Sequence, residues 1–515
     1  MNDEGYYSDP VDEEDEDDEE EEEEEEEVDE DEEEEEEAEE EEEEECERKE
    51  EGTMMPPTKI PRIQCLDQIS TLHDSVLLHI LSFLPMEDVV RTGALSRRWQ
   101  YLWTSTSTLV FKREIDYPND IRKYVASVNS TLLLWRSSNI KRFVIHLSSD
   151  YVDDDDDSCS TNVNRWIRFA TWNNVEDLDL KFGHFLAGNE LPQHLFTNSS
   201  LTILSATNCH IVISPTVQVS WISLKSLTFD AARLSDGAIT KILSGCPVLE
   251  ILNLESIYDL GPLNIDSASL RKLVIRCRYC PIGDGERVHK ISAPNLQLLA
   301  LSGNFLGYRF QLVNVSSLVK ADLRYFGEHC TDIDEKMLSQ LLELLERLEH
   351  VKELHLSHLC IEALSVGDMK GLPSLTSRCK MLALHTHVEK RDIPGIASVL
   401  LSSPYIEKLV VDLSSINQNT SFIPRASCKR TFSPFMHLKT IEIVGFKEVN
   451  EERVLPLLQS LLLSAVVLEK MVIKIGKSGY KRCSKCVSSM ELIRLLYKLL
   501  SFPRASSHAA ILFAE

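Results

Sequence analysis

The residues best able to do chemistry in this 515-residue chain are its cysteines, histidines and clustered aspartates, and their spacing argues against a reaction centre. Two C-x-x-C pairs, Cys277/Cys280 and Cys483/Cys486, offer thiols at a spacing that zinc uses. A structural zinc takes four ligands, usually from two nearby pairs, but these lie about two hundred residues apart and neither has a close second pair. His289 is the nearest histidine downstream of Cys280. The pairs are therefore expected to be loop thiols, with no metal bound. Asp153 to Asp157 is an acidic run without the glycine and spaced oxygen ligands of a calcium loop, so it reads as an exposed insertion. His385 and His387 alternate along an expected strand, which fits surface placement as well as a site. There is no phosphate-binding glycine loop and no nucleophile elbow. The chain is expected to be no enzyme and to need no cofactor.

If the residues do not react, they must position something, and the charge distribution shows where the folded part begins. Residues 1–51 hold 38 Asp and Glu against one Arg and one Lys, whereas the remainder holds 47 acidic and 51 basic residues. The net charge of −32 thus belongs to a tail, and the body is close to neutral. A like-charge run with so few apolar residues cannot offset its ordering entropy and is expected to be disordered. Its first reading is a solvating extension; its second is an electrostatic arm for histones or other basic proteins. Met54-Met55-Pro56-Pro57 marks the change of composition. No stretch reaches the length of a membrane span, and the acidic start fits neither a secretory nor a transit signal. Thirteen scattered cysteines describe reduced thiols rather than a disulfide framework. The expected location is the nucleus and/or cytoplasm.

Beyond the tail the chain repeats. Leu296, Leu299, Leu301, Asn304 and Leu306 fit L-x-x-L-x-L-x-x-N-x-L at every position, and Leu201, Leu204, Ala206, Cys209 and Ile211 fit it with cysteine in the asparagine slot. Looser copies run from Ile140/Phe143/Ile145 through Leu249/Leu252/Leu254 and Cys379/Leu382/Leu384 to Leu468/Met471/Ile473. Thirteen anchors give a mean period of roughly 27 residues, within the range of leucine-rich repeats. Alternating apolar residues predict short strands with one buried face. Between them, stretches such as Ile242-Leu243-Ser244-Gly245-Cys246-Pro247 read as a helix with a sharp stop. The fold class is α/β: a small helical segment, then an irregular solenoid of parallel strands on the concave face and helices outside.

That helical segment is Asp67 to Phe111. Val76, Leu77, Ile80, Leu81 and Leu84 share one face of a helix that Leu84-Pro85 ends, and Glu87 and Asp88 suit the first turn of a second. Ile69, Ser70, Leu72, Asp74, Leu77, Ile80, Leu81, Ser82, Leu84, Pro85, Leu95, Ser96, Arg97, Arg98, Trp99, Leu102 and Trp103 fall in the order of a plant F-box, which this stretch resembles. His73 stands where that pattern has proline, so the contact there is expected to be weaker or differently built. From about Thr431, Leu438 to Ile443, Gly445-Phe446, Val467 to Ile473 and Leu499 to Ser507 resemble the FBD domain that follows the repeats in such proteins. An apolar strand at Ala510 to Phe513 and a closing helix from Met490 to Leu500 complete this end as a cap.

The resemblance to F-box/FBD/leucine-rich-repeat proteins implies four regions: a tail and linker at 1–59, an F-box at 66–111, repeats at 112–430 and an FBD-like domain at 431–515. It implies a substrate-recognition subunit of a Skp-cullin-F-box ubiquitin ligase. The F-box would meet a Skp-type adaptor through Leu72, His73, Val76, Ile80, Leu84, Pro85, Val89, Leu95 and Trp99, some of which must instead pack the segment's own core. The repeats would capture an unidentified protein through their strands and loops, and the cullin-RING partners would carry the catalysis. No membrane contact and no direct nucleic-acid contact is expected. Alternatives are an acidic-tail chaperone for basic partners, or a repeat-based interaction protein with a vestigial F-box.

Overall fold

The computed structural model describes residues 69–115, 118–137, 139–149, 158–183, 190–258, 260–277, 287–303, 308–325, 335–372, 376–389, 392–414, 432–446, 451–475, 494 and 497–514. The acidic tail, Asp153–Asp157, Cys280, Cys483, Cys486, Asn304, Leu306 and most of the expected helix Met490–Leu500 lie outside them. The chain forms two units, Met1–Leu72 and His73–Glu515. The described part of the first is a 3-10 turn, Ile69–Thr71, closed by Leu72 N–H donating to Ile69 O at 3.1 Å.

The second unit opens with two short helices, α1 (Asp74–Leu81) and α2 (Met86–Arg91), followed by 3-10 turns at Thr92–Ala94 and Trp99–Ser105. Among the described residues fifteen strands then form one sheet, each parallel to its neighbour: β1 (Thr108–Ile115), β2 (Arg142–Ser149), β3 (Asp177–Phe182), β4 (Ile203–Thr207), β6 (Ser226–Asp230), β8 (Ile251–Glu255), β10 (Lys272–Cys277), β12 (Leu298–Gly303), β14 (Lys320–Tyr325), β15 (Glu353–Leu356), β16 (Met381–His385), β17 (Lys408–Asp412), β18 (Thr440–Phe446), β19 (Lys470–Ile475) and β20 (Ala510–Ala514). The thirteen sequence anchors account for every strand of this sheet except β1 and β20, and β20 is the apolar strand expected at Ala510–Phe513. The FBD-like end does not break the sheet; β18, β19 and β20 extend it.

Register explains why the motif works. Leu204 pairs with Leu227, Leu227 with Leu252, Leu252 with Leu273 and Leu273 with Leu299, so one motif position becomes one buried column. Ala206, Phe229, Leu254, Ile275 and Leu301 form the next column two residues on, and all ten residues are fully buried. Because strand side chains alternate, the intervening positions turn to the other side of the sheet and are mostly only partly buried.

Behind the buried columns the connections vary. Helices α3 (Pro118–Leu134), α4 (Ser158–Trp172) and α5 (Ala238–Gly245) serve the first half. The second half uses α6 (Glu335–Arg347), α7 (His358–Met369), α8 (Ile393–Leu401) and α9 (Glu451–Ser464). In the middle the connections are short strands rather than helices, part of the irregularity expected of the solenoid. There β9 (Asn264–Asp266), β11 (Arg287–Ser292) and β13 (Tyr308–Asn314) form a second parallel sheet, and β5 (His210–Ile211) pairs with β7 (Arg233–Leu234). Tyr308, Phe310 and Leu312 are buried at every second position, a strand period that a helix would split between its faces.

Two backbone devices keep the strands in step. Asn208, Ala231 and Ser256 follow β4, β6 and β8 in the left-handed region, at φ of 56°, 47° and 51°. Their N–H groups donate to Asp230 O, Glu255 O and Arg276 O on the next strand, at 3.0, 2.9 and 2.7 Å. Gly303 ends β12 at φ 128°, where a Cβ would sit 1.9 Å from Cys277 O. Only glycine can bring β12 that close to β10.

Candidate functional site

His73 supplies the N-cap of α1. Its Nδ1 accepts from the Ser75 N–H at 3.3 Å and lies 3.0 Å from the Ser75 hydroxyl, while its backbone is extended. The ring thus satisfies one of the amides that a helix start leaves unpaired. Asp74 in the first turn receives the Arg98 Nε–H at 3.0 Å, which ties the helix start to the segment before Trp99. The helix ends at Leu81, earlier than expected. Ser82 Oγ donates to His79 O at 2.6 Å, Leu84 N–H donates to Leu81 O at 3.1 Å, and Pro85 caps α2.

Burial then divides the apolar residues in a way that sequence spacing did not. Leu77, Leu81, Met86, Val89, Trp99 and Trp103 are buried and form the segment's own core. Val76, Ile80, Leu84 and Leu95 are exposed, as are His73 and Pro85, and Leu72 is half-buried. Of the residues expected at the adaptor contact, Val89 and Trp99 fall in the subset expected to pack the segment's own core. At 1% and 5% exposure they are core residues and offer no surface. Phe83 (74% exposed), Tyr101 (60%) and Val90 were not singled out from sequence, although each is a large apolar side chain facing solvent. Phe83 lies one residue outside the expected helical series, and its ring meets the His79 ring edge-on at 4.9 Å. Val76 and Ile80 lie one turn apart on α1, so with Phe83 and Leu84 they make a contiguous apolar strip over a core already filled without them.

The segment is fastened to the sheet. Arg113 on β1 reaches Glu87 on α2 at 3.4 Å, and the Trp135 indole N–H donates to Thr106 O at 2.9 Å.

The partly buried side of the sheet carries a different chemistry, cross-strand pairs of opposite charge. His146 Nε2 lies 3.0 Å from Asp179, Arg276 3.0 Å from Glu255 and Lys408 2.8 Å from Glu442, which Lys474 also reaches. Hydrogen bonds from Lys408 and Lys474 hold the Glu442 carboxyl below its ordinary range. A hydrogen bond from His385, 3.0 Å away, holds Asp412 well below the usual carboxylate range. His355, whose ring centroid lies 6.2 Å from that of His385, is pulled down to about 4, by burial first and by Lys320 second. Where β3 meets β2, burial outweighs Arg142 and raises the Asp177 carboxyl.

His385 belongs to the pair with Asp412, and His387 packs its ring against His358 at 4.6 Å. His358 Nδ1 lies 3.4 Å from the fully buried Asp392, whose other oxygen accepts from the Thr386 hydroxyl and the Glu389 N–H, each at 2.9 Å. This array fixes the start of α8 against α7. Cys277 and His289 are buried apart, and among the described residues no group of three or more His, Cys, Asp or Glu could hold a metal ion. No helix of the described residues is long and apolar enough to cross a membrane.

A helical segment whose apolar strip is left outside, joined to a parallel sheet built from a leucine-rich repeat, defines a protein that binds other proteins. The family model of the F-box domain matches residues 69–110, and that of the LRR repeats of FBD-associated F-box protein At5g56370 matches residues 163–411. F-box/LRR-repeat protein At5g02910 of Arabidopsis thaliana is 32% identical over 427 residues, covering 80% of this chain and 89% of the relative. Putative F-box/LRR-repeat protein At3g18150 of the same plant is 32% identical over 357 residues, covering 68% and 72%. The chain belongs to the F-box/LRR-repeat family.

Proposed function

We propose that this protein is a substrate receptor of a Skp-cullin-F-box ubiquitin ligase, acting in the nucleus and/or cytoplasm. The F-box docks a Skp-type adaptor, the adaptor links to a cullin-RING assembly, and the repeats hold the protein to be modified. The chain contributes position: a captured protein is kept at high effective concentration beside the conjugating enzyme. The observation that carries the reading is the exposed strip Val76, Ile80, Phe83 and Leu84 above a separately filled core. A helix-in-groove contact uses such a strip. His73, Pro85 and Leu95 belong to the same proposed contact; Val89 and Trp99 support it from beneath.

The test is capture of a Skp-type adaptor by the full chain. Ile80→Asp and Leu84→Asp should each weaken capture by about tenfold or more, since burying one such side chain contributes about 1.5–3 kcal/mol. Neither change touches the core, so thermal stability should hold. Undiminished capture by the double variant would sink the interface assignment.

A further inference from the structure

We propose that the sheet side opposite the buried columns, between β10 and β14, is a docking trough for an acidic segment of the captured protein; this rests on the reading of the repeats as the capturing part. The first, third and, where the strand is long enough, fifth positions of each main-sheet strand face that side. From β10 to β19 they hold seven Lys and Arg against four Asp and Glu; from β1 to β8 they hold three against four. The positive excess is local, in a body whose 51 basic and 47 acidic residues nearly cancel.

The excess has a shape. β12 presents Leu298, Ala300 and Ser302, so its middle and far end are low. In register across it, Lys272 on β10 and Lys320 on β14 flank Leu298, and Arg276 and Arg324 flank Ser302. Two strand spacings put the banks about 9–10 Å apart, and the two cationic tiers stand about 13 Å apart along the strands. An extended peptide fits a floor of that width and can place carboxylates toward both tiers.

The local acids leave these cations usable. Arg276 gives Nη1 to Glu255 at 3.0 Å and Nε to Ser302 Oγ at 3.2 Å, and Arg324 gives Nε to Asp322 at 2.9 Å. Each guanidinium has five donors in all. Lys320 lies 3.5 Å from Glu353, a partly exposed pair worth little by itself. Lys272 has no acidic side chain within ion-pair distance among the described residues. Asp322 and Glu353 stand among the cations and would repel a continuous phosphate backbone, so the geometry favours discrete carboxylates over nucleic acid.

The experiment titrates a labelled Glu-rich peptide, and its Gln counterpart, into the full chain. The Glu peptide should bind at least about tenfold more tightly, and raising salt from about 0.05 to 0.3 M should remove most of the difference. Lys272→Gln with Lys320→Gln should lose about tenfold, Arg324→Gln alone should lose affinity in the same direction, and Lys112→Gln on β1 should change nothing. Equal binding of the two peptides, or a double variant that binds like the parent, overturns the proposal. So does binding only when the peptide carries phosphoserine, or tighter binding of a single-stranded oligonucleotide. Adaptor capture measured on the same variants should be unaffected. Its failure in the parent chain would count against the ligase reading and leave the trough standing.

Discussion

Acidification should loosen the second sheet through a single histidine. His289 on β11 is fully buried, with its ring 4.9 Å from the Tyr308 ring and stacked at 5.0 Å on Phe310. Its Nδ1 accepts from the Leu263 N–H at 3.1 Å, so the neutral ring is the form that fits. Burial, with a smaller contribution from Arg287, pulls its pKa from the ordinary 6.5 to about 4. The unfolded chain therefore takes up this proton before the folded one does. The stabilisation is complete above about pH 6.5 and is lost as pH falls toward 4. At pH 5 the loss is about 2 kcal/mol, a factor of about 30 in the local opening equilibrium. The assay is hydrogen exchange at the Leu263 amide in the full chain at pH 7.5 and 5.0, corrected for the intrinsic pH dependence of exchange. The parent protein should lose about 30-fold in protection, whereas His289→Gln, which keeps an acceptor but cannot titrate, should change by less than about threefold. Equal pH dependence in the two proteins would refute the argument.

Gly303→Ala forces a Cβ onto Cys277 O at a φ that side chains avoid. It should cost at least about 2 kcal/mol in urea denaturation, with exchange rising first in β10 and β12. His73→Ala removes the α1 cap and should cost about 0.5–1 kcal/mol, whereas His73→Asp, which restores an acceptor, should be neutral within about 0.3 kcal/mol. Thermal melts of the two variants check this.

The main sheet was legible because its signal is redundant: each strand repeats the same alternation, and register stacks equal positions. β1 escaped because it stands ahead of the first anchor, and Lys112 and Arg113 close its apolar run Leu109-Val110-Phe111. β9, β11 and β13 escaped because their burial depends on one another; Asn264-Ile265-Asp266 has a single apolar residue and becomes a strand only beside Ile291. The F-box could be read as a motif but not as a surface. Spacing put Val76, Leu77, Ile80, Leu81 and Leu84 on one face, yet only Leu77 and Leu81 turn inward. A helix as short as α1 can bury one narrow stripe, and the side chains beside it stay outside. Val89 and Trp99 look as bindable as Leu84 in sequence; only packing separates them.

The in-register columns also bear on how such a chain can change over generations. Each strand is held by the strand before it and the strand after it, so a connection can lengthen or shorten without disturbing a column elsewhere. The same connecting stretch is a helix in one repeat and a strand in another. Insertions and deletions therefore fall where the fold is indifferent to them, and stability accumulates as a sum over neighbours. Families with this architecture can reshape the surface between their strands while the strands stay as they are.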